Sequence, residues 1–103
     1  MYWLRIGFLV LLLWSLNGCV TVEPPIEEYT LARAALEAAR IVDAPRFSPG
    51  FWHQADESFR RARVLYEERE FKAAKDEFLR AKFSAERAEN SARLIRLKTG
   101  EVL

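Results

Sequence analysis

The chain has one cysteine, one histidine and one methionine among its 103 residues, with four glycines and four prolines. A single Cys excludes an internal disulfide, and one Cys with one His cannot build a two-His or Cys-cluster zinc site. Charge of one sign is also lacking, since 16 Lys+Arg face 15 Asp+Glu. A nucleic-acid binder needs a basic excess to displace counterions, so the balance argues against that class. The sequence contains no G-x-S-x-G, no H-E-x-x-H and no Gly-rich phosphate loop. Its longest apolar run, Ile6 to Leu16, has 11 residues, short of the roughly 20 that span a bilayer. The length leaves room for one small domain. With so little Gly and Pro, most of the chain is free to be regular, and its Ala, Leu, Glu and Arg content favours helix.

The first residues read as an address rather than as part of a fold. One positive charge at Arg5 precedes the apolar run, which is the plan of a secretory signal peptide. Leu16-Asn17-Gly18-Cys19 then resembles the bacterial lipobox. That resemblance implies cleavage between Gly18 and Cys19, a diacylglyceryl group on the Cys19 thiol and acylation of the new amino terminus. Val20 stands where Asp resembles an inner-membrane retention signal, so the expected place is the outer membrane, lipid-anchored on its periplasmic face. One acyl chain holds a protein only marginally, whereas two or more make a stable anchor. The division is then 1–18 signal peptide, 19–24 lipidated tether and 25–103 helical domain. Without its first 18 residues the chain keeps 15 basic and 15 acidic side chains.

The rest patterns as an all-α fold, a small three-helix bundle or helical hairpin with a long C-terminal helix. Pro24-Pro25 with Glu27 and Glu28 suits a helix start, and the first helix is placed at about 25–42. Its Ala32, Ala34, Ala35, Ala38 and Ala39 would let a neighbour approach closely. Residues 43–50 (DAPRFSPG) have loop chemistry, with Ser48 able to cap the next helix and Pro49 at its first position. The second helix, about 49–68, carries Trp52, Ala55, Phe59, Ala62 and Tyr66 in one stripe. After a tight turn, the third, about 71–98, carries Phe71, Ala74, Phe78, Ala81, Ala85, Ala88, Ala92 and Ile95. Those steps of three and four form an unbroken heptad seam, and Gly100 ends it.

Two resemblances attach to these residues. Ala62, Phe71, Ala74, Phe78 and Ala81 resemble one tetratricopeptide-type hairpin of roughly 34 residues. The Ala-rich first helix, the segment Ala44-Pro45-Arg46-Phe47-Ser48-Pro49 and the two seamed helices resemble the bacterial domain-of-unknown-function family 4398. That family implies a helical envelope protein and supplies no catalytic residues.

Candidate chemistry is sparse. His53 has only Asp56 and Glu57 within reach along its own helix, and Glu67, Glu68 and Glu70 read as a solvated turn because calcium needs convergent oxygens on a bent loop. No catalysis, no metal and no cofactor beyond the lipid on Cys19 is expected. The third helix should outrun the second by roughly 12 Å at about 1.5 Å per residue. The overhang holds Ala92, Arg93, Leu94, Ile95, Arg96, Leu97 and Lys98. We read it as a surface for another envelope protein or a second copy, unless it folds back on the Phe47 loop or frays. The expected function is a non-enzymatic interaction or structural module of the envelope, with noncovalent peptidoglycan association as the alternative and a cell-wall enzyme as the weakest reading.

Overall fold

The computed structural model describes residues 1–14 and 22–100, and among these every regular element is a helix. They are α1 (Tyr2–Trp14), α2 (Ile26–Ile41), α3 (Ala44–Phe47), α4 (Pro49–Glu67) and α5 (Phe71–Lys98). The fold is all-α, with α5 as its long central helix. No helix among the described residues is long and apolar enough to cross a membrane.

The seams decide how the helices pack. Six residues of α5, namely Ala74, Phe78, Ala81, Ala85, Ala88 and Ala92, are completely buried. Near the start of α5, Ala74, Phe78 and Ala81 meet Ala32 of α2 and Ala62 of α4. Midway, Ala85 meets Leu36 and Ala55. Towards its end, Ala88 and Ala92 meet Ala39 and Val42, with Trp52 against them. Rising numbers along α5 therefore match rising numbers on α2 and falling numbers on α4. Thus α2 runs parallel to α5, and α4 runs antiparallel to both. Among the described residues, nine of the thirteen in the buried apolar core are alanines of these three helices. Small side chains let helix axes approach closely, so dispersion between backbones replaces the bulky interdigitation of a Leu-rich core. Of the alanines expected to admit a neighbour on α2, Ala32 and Ala39 are buried, Ala35 and Ala38 are half-buried and Ala34 faces solvent.

The helix ends explain the connections. At the end of α4, the Glu70 N–H donates to the Leu65 carbonyl at 2.9 Å and the Arg69 N–H to Tyr66 at 3.0 Å. This Schellman pair satisfies two carbonyls that the helix leaves open, and it holds Arg69 in the left-handed region at φ 61°. Side chains other than Gly pay about 1–2 kcal/mol there. Arg69→Gly should therefore raise stability by about 1 kcal/mol in a urea titration. A lowered midpoint would contradict this reading of the turn. Gly100 occupies the corresponding place after α5 at φ 77°.

Two sequence expectations are corrected at residues 43–50. This segment is not all loop: α3 forms one helical turn within it. Asp43 enters the left-handed region at φ 61°, which Asp tolerates better than most residues. Its carbonyl accepts the N–H groups of Arg46 and Phe47, both at 3.1 Å. Pro45 sits in the first turn, where its missing N–H costs nothing. Ser48 does stand at the cap of α4, yet its side chain makes no capping hydrogen bond. Its backbone N–H is taken by the Ala44 carbonyl at 2.8 Å, and the residue is buried.

Two end regions as candidate functional sites

At the far end of the bundle α5 does outrun α4, but it is not bare. Ala44 of α3 and Val42 pack with Ala92 and Ala88. Arg96 reaches back across the chain, where its Nη1 donates to the Val42 carbonyl at 3.1 Å. Val42 is the C-cap residue of α2, so a cation is placed at the negative end of that helix dipole. The same guanidinium lies 5.4 Å from the Phe47 ring centroid, and that of Arg46 lies 4.9 Å from it. Phe47 thus lies against Arg96 while α5 continues as a helix to Lys98, and α3 sits as a one-turn lid over this end of the bundle.

This placement redistributes the residues expected to form a docking surface. Ala92 belongs to the core and Ile95 is half-buried. Arg93 pairs with Glu89 at 3.0 Å on its own helix. Leu94, Leu97 and Lys98 remain exposed. Cutting the chain at Asn90 would consequently remove the core contact of Ala92 and the Arg96 latch as well as a surface. Gly18 and Cys19, the expected cleavage and lipidation positions, lie outside the described residues.

The latch can be weighed directly. Arg96→Ala forfeits a charged hydrogen bond and a cation–π contact, together about 2–3 kcal/mol. It also removes the Arg96 Nε, which is buried without a hydrogen-bond partner, so the net loss should be nearer about 1–2 kcal/mol. Amide exchange at Ala44–Ser48 should accelerate while that at Phe78–Ala85 follows only the global change. Uniform acceleration would show that α3 is not a separately held lid.

The opposite end holds an aromatic cluster that links all three long helices. Tyr29 of α2, Phe59 of α4 and Phe78 of α5 meet pairwise, with ring centroids 5.4 to 5.8 Å apart. Two of these pairs are edge-to-face, and such pairs add about 0.5–1.5 kcal/mol each beyond burial. Tyr66 and Phe71 make a further edge contact at 5.5 Å across the α4–α5 turn. Where α2 and α4 diverge above Phe78, a cleft of about 350 Å³ opens, lined by Ile26, Tyr29, Arg63, Tyr66, Glu67 and Phe78. An apolar floor with one cation and one carboxylate at its edge can hold an apolar or aromatic group with a polar end. Phe59, Tyr66 and Phe78 stood out in the sequence as seam residues. The missing signal was the register that brings Tyr29 over them.

The remaining candidates keep apart. His53 is exposed on α4, one residue from Trp52, which carries Arg40 over its ring at 5.3 Å. Glu67, Glu68 and Glu70 all face solvent. Among the described residues no three His, Cys, Asp or Glu side chains converge as a metal-holding group. Ion pairs tie the helices at their surfaces, with Arg61 on Glu77 at 3.3 Å and Lys75 on Glu28 at 3.7 Å, each worth under about 1 kcal/mol.

No protein-family model matches the chain, and no curated protein or solved structure shows significant similarity to it.

Proposed function

We propose that the protein is an outer-membrane lipoprotein whose helical bundle is a non-enzymatic interaction or structural module of the cell envelope. One observation carries the reading. Among the described residues, the apolar helix α1 makes no contact with the other four helices, and its side chains from Tyr2 to Leu11 are exposed. A run of Leu, Ile, Val, Phe and Trp that buries nothing in the fold serves something other than the fold. Followed within a few residues by Leu16-Asn17-Gly18-Cys19, it is a signal segment that delivers Cys19 to the lipidation machinery. The resemblance to family 4398 supports the same envelope role through its quoted residues.

The bundle itself suits binding rather than turnover. Among the described residues its interior is mostly alanine with Leu36, Val42 and Phe78, and Ser48 and Ser58 are the buried polar residues, so catalytic groups would have to be gathered on the surface. Expressed in a Gram-negative bacterium, the wild-type chain should fractionate with the outer membrane. Cys19→Ser should leave it uncleaved and outside the outer-membrane fraction. Unchanged outer-membrane recovery of the variant would sink the lipid-anchor reading. In-cell crosslinking with the same control would then identify the envelope partner, and cosedimentation with purified cell wall tests the peptidoglycan alternative.

A further inference from the structure

The helix α5 has a second face that the bundle leaves open. Opposite the alanine seam, Leu79, Phe83, Arg87, Asn90, Leu94 and Leu97 follow one another at steps of four, four, three, four and three. This places them in one stripe along the helix. Phe83 is 54% exposed, Leu94 58% and Leu97 70%, and Leu79 is half-buried. Neither α2 nor α4 covers this stripe, because both pack on the seam side. Lys72, Arg80, Arg87 and Lys98 lie along or beside it, all exposed. Among the described residues, only Arg80 of these is paired, to Glu77 at 3.0 Å. The acidic groups at this face are Asp76 and Glu86, the latter held by Lys82 at 3.0 Å.

We infer that this outer face of α5 docks onto an anionic lipid surface, laying the bundle flat on the membrane. The inference deepens the lipid-anchored reading and rests on it for location. A stripe of Leu79, Phe83, Leu94 and Leu97, interrupted by Arg87 and Asn90 and bordered by further Lys and Arg, is the pattern of an interfacial helix, with Phe and Leu entering the headgroup boundary and the cations meeting phosphates. The long stems of Arg and Lys let their charges reach past the apolar row. Charge also argues against a second copy as the occupant. An antiparallel copy that set Leu79 on Leu97 and Phe83 on Leu94 would place Arg80 opposite Lys98. It would also bring each Arg87 close to its equivalent, and like charges at such positions repel. Position fits as well. The tether leads into α2 at the end where α5 begins, while Leu94 and Leu97 stand at the other end of a helix about 40 Å long. The anchor and the stripe would therefore hold the bundle at two separated points, and a two-signal attachment is what makes membrane binding stable.

The test uses residues 20–103 without lipid, since the core clusters draw nothing from α1. Flotation with vesicles of phosphatidylethanolamine and phosphatidylglycerol should recover the bundle, and vesicles of phosphatidylcholine alone should not. Arg87→Glu with Lys98→Glu should lower partitioning by roughly tenfold or more, and Leu94→Ser with Leu97→Ser should abolish it, both with wild-type helicity. No flotation, equal recovery on both vesicle types, or variants that float like the wild type would overturn the inference. So would a concentration-dependent dimer in sedimentation equilibrium that the Leu94→Ser, Leu97→Ser pair dissolves. Because the bundle carries no lipid, failure here leaves the acylation of Cys19 to be judged separately.

Discussion

Phe78→Ala should lower the stability of the bundle by about 3–5 kcal/mol, the largest loss from any single truncation in this fold. Phe78 is the largest fully buried side chain among the described residues, and it touches Tyr29 and Phe59 edge-on. Its removal leaves a cavity at the level where the Tyr29, Phe59 and Phe78 rings join α2, α4 and α5. The neighbours there, Ala32, Ala62, Ala74 and Ala81, are too short to collapse into the gap. A small domain has about 5–15 kcal/mol in total, so the variant should be partly unfolded near room temperature. A urea titration followed by circular dichroism of residues 20–103 would read this. A loss below about 1.5 kcal/mol would mean the aromatic level is not what joins the helices.

The second large effect runs the other way in volume. Ala85→Leu should destabilise by about 1–3 kcal/mol or more, because Ala85 is completely buried between Leu36 of α2 and Ala55 of α4. Three added heavy atoms have no free space at such a seam, so either the helices move apart along their length or the side chain leaves its rotamer. Ala73 faces solvent on the same helix, and Ala73→Leu should be neutral within about 0.5 kcal/mol. The pair separates overpacking from helix propensity, which is similar for Ala and Leu. Equal midpoints for the two variants would contradict close helix approach.

Most of the architecture was legible from periodicity. The seam of α5 ran through eight residues without a break, and its six central members are the buried ones. The expected helices at about 25–42, 49–68 and 71–98 lie within a residue of Ile26–Ile41, Pro49–Glu67 and Phe71–Lys98. Regular burial every three or four residues has no other outcome than helix, which is why these bounds were readable. The short helix α3 was not. Two prolines and a glycine in residues 43–50 look like a loop, whereas Pro45 falls in a first turn and Asp43 supplies the left-handed entry. That distinction depends on backbone angles which composition does not report.

The end regions were less legible than the middle. By sequence alone Arg96 falls in an exposed overhang, because its neighbours Leu94 and Leu97 have no seam partner on α4. Its actual partners, Val42 and Phe47, are about 50 residues earlier in the chain and come near only once α3 has folded over α5. The cleft above Phe78 was missed for the same reason, since Ile26 and Tyr29 reach Tyr66 and Glu67 only through the parallel packing of α2 on α5. Long-range juxtapositions follow from register, and register leaves no mark within a single helix.

The most direct test of the account is the intact mass of the protein recovered from bacterial membranes. The lipoprotein reading predicts a chain that starts at Cys19, has lost residues 1–18, and carries the added mass of a diacylglyceryl group and an amide-linked acyl chain. Cys19→Ser should show neither the cleavage nor the lipid. A membrane-recovered chain that still begins at Met1 and carries no lipid would contradict it.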